Sequence, residues 1–229
     1  CGVPHALVLS GRHQADLKRL AHDLKTICET QIRFFGEPAP FNQYLFLTAV
    51  VGDGYGGLEH RDSTALICSR GDLPLPDDTS TSAGYRQFLG LCSHEYFHSW
   101  NVKRIKPAAF APYQLDKENP TRLLWAFEGL TSYYDDLMLV RSGLTDPATY
   151  LQQLGETITS VWRTPGQRWQ SLEDASFDAW TKYYRQDENS PNSLVSYYTQ
   201  GSLVGLALDL TIRTRTNNQK SLDTVMLAL

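Results

Sequence analysis

The chain has 229 residues, and 21 lysine and arginine residues stand against 25 aspartate and glutamate residues, for a formal net charge of −4 at pH 7. Such a balance gives no electrostatic basis for binding nucleic acid, which requires a strongly basic surface. No apolar stretch reaches the ~20 residues that a membrane-spanning helix needs, so we expect no transmembrane segment. The length is sufficient for a large core and permits two lobes.

The first part of the chain predicts a small β-containing lobe, over about residues 1–80. A Pro-, Asp-, Ser- and Thr-rich loop should then lead into a helical region. The predicted elements of the lobe are a strand over 7–10, a helix over about 14–34, strands over 44–51 and 65–69, and the loop over 71–84.

The next segment predicts a buried helix. Between Tyr85 and Ile105 there is no proline, and apolar residues recur at roughly helical spacing. Ser80 or Ser82 is placed to cap its start, and Pro107 would stop any helix that continues to Ile105.

This helix carries the most informative motif of the chain, His94-Glu95-Tyr96-Phe97-His98. Residues four apart lie on one helical face, so His94 and His98 can present two imidazoles to one metal ion. Glu95 lies beside that face, where a carboxylate can take a proton from metal-bound water. The alternative is a helix with two incidental histidines.

A zinc site with two histidines needs a third protein ligand, and Glu128 is the best candidate. It lies within an apolar-periodic stretch from Leu123 to Val140, followed by Gly143 where a C-terminal cap would fall. Burying a glutamate is costly unless it is paired or bound to a metal. The alternative is a solvated glutamate at the edge of the stripe, or one paired with Arg122.

The rest of the chain predicts a mostly helical lobe, over about residues 81–229. Asp146-Pro147 is typical of a helix start and opens a helix to about Arg163. An apolar helix follows over 203–212, and Ser221 is placed to cap a last helix.

The run from His94 to Pro107 resembles the active-site signature of the M61 peptidases, the glycyl aminopeptidase family. The segment Phe127 to Tyr134, which contains Glu128, resembles the third-ligand segment of the same family, and more distantly that of the M1 aminopeptidases. The interval between the second histidine and the glutamate is longer than in M1 enzymes, and the insertion would lie at roughly 108–120. The resemblance implies a thermolysin-like zinc peptidase catalytic domain, α+β and mostly α, with one zinc ion held by His94, His98 and Glu128.

Two further segments match the wider group of zinc peptidases to which these families belong. Gly56-Gly57-Leu58-Glu59-His60 is similar to a segment in which the glycine lets the backbone pass close to substrate, and the resemblance implies that Glu59 binds the α-ammonium of a peptide. Tyr197-Tyr198-Thr199-Gln200-Gly201 resembles a segment that places a tyrosine hydroxyl over the tetrahedral intermediate. By that register the hydroxyl belongs to Tyr198, although Tyr197 remains the alternative donor. Gln200 stands where the similar segment usually has a lysine. The alternative for Glu59 is an ordinary loop carboxylate, and the alternative for Tyr197 and Tyr198 is a pair of core tyrosines.

The resemblance therefore implies a zinc aminopeptidase whose substrate is a peptide with a free N-terminus, preferably beginning with glycine or alanine. Two other hypotheses remain: an endopeptidase of the same fold, in which Glu59 contacts no amine, and a non-catalytic peptide-binding module. An intact Glu95 argues against the last, because a binding module needs no base.

Family members usually carry an N-terminal β domain and a C-terminal PDZ domain. We expect neither within this chain, which would make it a catalytic-domain fragment against which the missing domains pack. The four cysteines include no Cys-x-x-Cys pair, so disulfides are permitted without being required, and the compartment stays open. We expect Cys92 to be a buried thiol.

Overall fold

The structure is a computed structural model that describes every residue from Cys1 to Leu229. It is mixed α+β, about half helical, with a single small sheet, so the predicted fold class is confirmed at this level. The chain forms two compact units, one made of Cys1–Arg104 and Tyr134–Pro147 and the other of Ile105–Tyr133 and Ala148–Leu229. The predicted lobes, about 1–80 and about 81–229, stay a prediction.

The first unit contains a four-stranded sheet in the order β1-β2-β4-β3. Strands β1, β2 and β4 are parallel, whereas β3 lies at the edge and is antiparallel to β4. The strands predicted over 7–10, 44–51 and 65–69 all exist, whereas β3 was not predicted. The bounds are β1 His5–Ser10, β2 Tyr44–Val51, β3 Tyr55–Glu59 and β4 Ser63–Ser69.

The core of this unit is built on the alternation of side chains along β2. Tyr44, Phe46 and Val50 point inward and are buried, whereas Leu47, from the opposite face, is 43% exposed. The inward rings pack on Tyr96 of a helix, with ring centroids 4.7 Å from Tyr44 and 5.9 Å from Phe46. Burying each such aromatic side chain contributes about 1.5–3 kcal/mol to folding, so this cluster anchors the helix on the sheet.

Two helices of this unit begin and end at residues suited to those places. In α1, Leu17–Phe35, the Asp16 side chain accepts hydrogen bonds from the first turn. In α2, Ala83–Phe97, the Ser82 hydroxyl accepts the backbone N–H of Tyr85. Helix α2 ends before Ile105 because the backbone bonds tighten: Ser99 N–H donates to Tyr96 and Trp100 N–H to Phe97, a three-residue spacing that closes the helix.

The second unit is helical. The predicted helix from Asp146-Pro147 to Arg163 is confirmed, as are the helix that contains 203–212 and the helix that follows Ser221. In the first unit, Gly143, predicted to cap the preceding helix, has a positive φ of +77° after that helix ends at Arg141. The remaining helices are α3 Leu130–Arg141, α4 Pro147–Arg163, α5 Leu172–Phe177, α6 Ser190–Ser193, α7 Thr199–Arg215 and α8 Leu222–Met226, with π-helical turns at Trp125–Gly129 and Ala179–Tyr183.

All four cysteines are free thiols, and Cys28, Cys68 and Cys92 are buried. The prediction of a buried Cys92 thiol is therefore confirmed, and burial raises its pKa well above the ordinary value. None of the helices combines the length and the apolar character that crossing a bilayer requires.

Candidate metal and active site

The two histidines of the motif lie at the C-terminal end of α2. His94 is in its last turn and His98 is the residue that follows the helix. Their rings are close, with centroids 4.7 Å apart, and lie nearly perpendicular to each other. Spacing of four residues on one helical face is sufficient to produce this arrangement.

Each histidine is held through its Nδ1 atom. The Nδ1 of His94 donates to Oδ2 of Asp135 at 2.9 Å, and that of His98 donates to the backbone carbonyl of Asn101 at 2.7 Å. A carboxylate and a carbonyl can only accept, so both Nδ1 atoms carry a proton, and in the neutral imidazole the lone pair is then on Nε2. Hydrogen bonds of this kind orient metal-ligating histidines and raise their basicity.

Asp135 and its neighbour Asp136, both on α3, were missed by the sequence analysis. Burial raises the pKa of Asp135, which the hydrogen bond from His94 partly offsets. Burial and the nearby Asp135 together raise the pKa of Asp136 to about 7. A signal existed in the sequence, because Asp135 follows Glu128 by seven residues, or about two helical turns.

Glu128 lies in the π-helical turn Trp125–Gly129 that runs directly into α3. Glu128 belongs to the second unit, whereas His94 and His98 belong to the first, so its role as the third ligand stays a prediction. Arg122, the alternative partner for Glu128, has its guanidinium on Asp174, at 2.7 Å. The stripe predicted from Leu123 to Val140 includes Leu137 and Val140, but these two are only half-buried, and Met138 and Leu139 are buried instead.

Backbone packing fixes the turn that carries Glu128. A Cβ on Gly129 would lie 2.6 Å from Cα of Gly201, and one on Gly201 would lie 2.9 Å from the carbonyl oxygen of Trp125. Both distances are shorter than a real side-chain contact allows, so glycine is needed at each position. The π-helical turn and the first turn of α7 thus meet backbone to backbone.

Tyr197 and Tyr198 immediately precede α7, and the two phenols have different surroundings. The hydroxyl of Tyr198 lies 2.9 Å from that of Tyr184, a residue that the sequence analysis did not single out. Burial raises the pKa of Tyr198 far above its ordinary value, and the charge of Glu128 is the second cause. Burial raises the pKa of Tyr197 as well, but there Glu128 is the least of the causes. Both phenols therefore stay protonated as hydrogen-bond donors, and Glu128 acts more strongly on Tyr198.

Glu95 is 4% exposed and lies against the edge strand β3. A Cβ on Gly57 would come within 2.5 Å of Cδ and 2.7 Å of Cγ of Glu95, so the glycine leaves the space that the carboxylate occupies. The prediction of close backbone approach at Gly57 thus has a physical counterpart, although the neighbour in this structure is Glu95.

Glu59, at the end of β3, lies in the same region. Carboxylate oxygens of Glu59 and Glu95 and a ring nitrogen of His98 form a group within 4.8 Å of one another. Oε1 of Glu59 also lies 3.2 Å from Nζ of Lys103, a residue that the sequence analysis did not assign to the site. The arrangement places two carboxylates and one ammonium beside His98.

The two histidines fit a bound zinc ion. Two imidazoles that offer Nε2 lone pairs, completed by one carboxylate such as the predicted Glu128, are a common ligand set for catalytic zinc, which keeps a further position open. The carboxylate of Glu95, adjacent in sequence to one ligand, is suited to proton transfer. Two helix-borne imidazoles beside a carboxylate are typical of zinc-dependent hydrolases.

Comparison with known proteins agrees with this class. A family model described as M61 glycyl aminopeptidase matches residues 87–204, slightly more than half of the chain. The chain belongs to the M61 glycyl aminopeptidase family. A search of curated proteins found no match.

Two solved structures illustrate the similarity. An aminopeptidase N family protein from Idiomarina loihiensis is 55% identical, with a TM-score of 0.96 over 99% of this chain and 38% of that one. An M1 zinc metallopeptidase from Deinococcus radiodurans is 17% identical, with a TM-score of 0.56 over 92% of this chain and 37% of that one, and shares the fold. This chain thus spans less than two fifths of the length of either protein.

Proposed function

We propose that the chain is the catalytic part of a zinc-dependent aminopeptidase, with a thermolysin-like arrangement of its site. The observation that carries this proposal is the pair of imidazoles of His94 and His98, whose ring centroids lie 4.7 Å apart and whose Nδ1 atoms are both engaged as donors. Membership of a peptidase family and the fold of a zinc metallopeptidase support it.

In this proposal His94, His98 and Glu128 hold one zinc ion. When bound, the ion supplies Lewis-acid polarisation of the scissile carbonyl and increases the acidity of water. Glu95 takes a proton from the attacking water and returns it to the leaving amine. The phenol of Tyr198, kept protonated by burial and by Glu128, donates a hydrogen bond to the developing oxyanion, an interaction worth about 3 kcal/mol in comparable sites.

Glu59 gives the proposal its exopeptidase character. Its carboxylate lies beside Glu95 and His98, where it would bind the α-ammonium of a substrate and place the first peptide bond at the site. The family description favours glycine at the substrate N-terminus, and we extend this to small residues such as alanine. Gly57 leaves room for Glu95 beside this strand.

We further propose that the chain is one catalytic domain of a longer protein, with a β-containing lobe over about 1–80 and a helical lobe over about 81–229. The solved relative at 55% identity is covered over only 38% of its length. Flanking domains, an N-terminal β domain and a C-terminal PDZ domain, would then pack on this one.

The test compares hydrolysis of a glycyl-anilide with hydrolysis of its N-acetylated twin, by protein shown to hold one zinc per chain. We expect cleavage of the free amine alone, and we expect Glu95→Gln to keep the zinc and lose turnover. Cleavage of neither compound by the zinc-loaded chain would refute the proposal.

One observation favours a second candidate, an endopeptidase of the same fold. Nζ of Lys103 already lies on the Glu59 carboxylate, which would keep that carboxylate from acting as an amine anchor. This candidate predicts that the acetylated and free substrates are cleaved at similar rates.

A further inference from the structure

Lys103 and Glu59 form an ion pair that is largely removed from solvent. Nζ of Lys103 lies 3.2 Å from Oε1 of Glu59, and the two side chains are 18% and 20% exposed. A pair with this degree of burial is less screened by water than a surface pair. The charge of the Glu59 carboxylate is therefore substantially balanced before any ligand arrives.

The pair lies where a substrate amine would bind. Oxygens of Glu59 and Glu95 and a ring nitrogen of His98 all lie within 4.8 Å of one another. Two carboxylates so close together repel, and a cation beside them lowers that repulsion. Lys103 supplies such a cation from within the chain.

The backbone of Lys103 is fixed, whereas its side chain can move. Its N–H donates to the carbonyl of His98 at 3.0 Å, and the guanidinium of the next residue, Arg104, donates to the carbonyls of Ser99 and Arg61. The ammonium is carried on a flexible four-carbon stem that exchanges partners without moving the backbone.

We propose that Lys103 is a specificity residue that occupies the Glu59 carboxylate in the free protein and is displaced by the α-ammonium of the substrate. This inference rests on the proposed role of Glu59 as the amine anchor. Binding of a peptide N-terminus is then an exchange of one ammonium for another on the same carboxylate. Two cations on one carboxylate repel each other, so Lys103 lowers the affinity for every ligand that carries a charged amine.

The exchange confines the effect of Lys103 to charged ligands. A ligand without a positive charge at its N-terminus gains nothing from the Glu59 carboxylate and does not replace the lysine, so Lys103 leaves the affinity for acylated peptides unchanged. The charge on the ligand, rather than its side chain, decides whether the pair opens.

The experiment measures the affinity of the tripeptide Gly-Gly-Gly and of N-acetyl-Gly-Gly-Gly by titration calorimetry. The zinc-loaded protein carries Glu95→Gln throughout, so that no peptide is consumed. Lys103→Met, with Lys103→Gln as a second neutral variant, is compared with Lys103→Arg, which keeps the charge. Lys106→Met is the matched control, because Nζ of Lys106 is engaged over the Tyr113 ring.

We expect the neutral variants to bind the free tripeptide roughly fivefold more tightly, the change that about 1 kcal/mol of lost competition produces. The acetylated peptide, Lys103→Arg and Lys106→Met should show no change. Unchanged or weaker binding of the free tripeptide by the neutral variants would overturn the inference, as would equal tightening for both peptides. Failure of the proposed function is a separate result, seen as no hydrolysis by the wild-type chain whichever way these affinities change.

Discussion

Strand β3 lies close to Glu95, the proposed base, and this gives a sharp prediction for Gly57→Ala. The added methyl group would lie 2.5 Å from Cδ of Glu95, whereas ordinary contacts of a Cβ begin at 3.4 Å, so the carboxylate must move by about 0.9 Å. A displacement of ~1 Å in a reacting group costs about 10²-fold in rate. We therefore expect kcat to fall about 100-fold.

Stability should change far less than activity. The atoms displaced by Gly57→Ala belong to the end of a side chain, which can rotate, so the overpacking should cost only about 1 kcal/mol in the free energy of unfolding. Zinc content should stay at the wild-type value, because no proposed ligand is moved directly.

The assay measures kcat and KM on a glycyl-anilide, the zinc stoichiometry and the urea midpoint of the same preparations. Gly52→Ala is the matched control, because a Cβ there meets nothing within 4 Å. A Gly57→Ala protein with kcat within twofold of the wild type would refute the reasoning that the strand positions Glu95.

Three further changes test the other supports of the site and fold. Glu128→Ala should lower the zinc bound per chain, measured by metal analysis after dialysis, and unchanged stoichiometry would remove Glu128 from the ligand set. Asp135→Asn should weaken zinc affinity about 10- to 100-fold by loosening His94, and chelator competition giving wild-type affinity would contradict this. Asp209→Asn should cost roughly 2 kcal/mol in the free energy of unfolding, because a buried carboxylate loses charge-assisted hydrogen bonds.

The Asp209 variant also carries a prediction on pH. Burial opposes its ionisation, but hydrogen bonds from Arg213, from the backbone of Leu222 and from Tyr133 outweigh burial, so its pKa lies below the ordinary value. A depressed folded-state pKa stabilises the protein above the ordinary carboxyl pKa of ~3.9, and the effect is lost as pH falls. The stability difference between wild type and variant should be full at pH 7 and shrink below about pH 4. A difference independent of pH would contradict the assignment.

The parts of the fold that sequence patterns predicted are those in which local signals and burial agree. Strand β2 was predicted with its observed bounds, because eight consecutive β-favouring residues lie between turn signals. Strand β3 was missed because two adjacent glycines, Gly56 and Gly57, have low strand propensity, and pairing with β4 overrides it.

The residues of the candidate site divide in the same way, into those that local spacing reveals and those that depend on distant contacts. His94 and His98 were recognisable because their spacing on one helix is a local property. Asp135 and Lys103 were not, because their roles depend on contacts across 41 and 44 residues of chain. A sequence pattern records residue types at fixed intervals, and it does not show which distant segments of the chain lie against each other in the fold.

The π-helical turn at Trp125–Gly129 has a consequence for how this protein tolerates change in length. A π-helical turn contains about one residue more than an α-helical turn, and each residue rotates the rest of a helix by about 100°. Deleting one residue within the turn would restore a regular helix, which is locally more favourable, but would rotate the segment before α3 by about 100° relative to that helix. Single-residue deletions here should therefore give folded proteins in which the carboxylate of the proposed ligand Glu128 points elsewhere, measurable as a lower zinc content per chain.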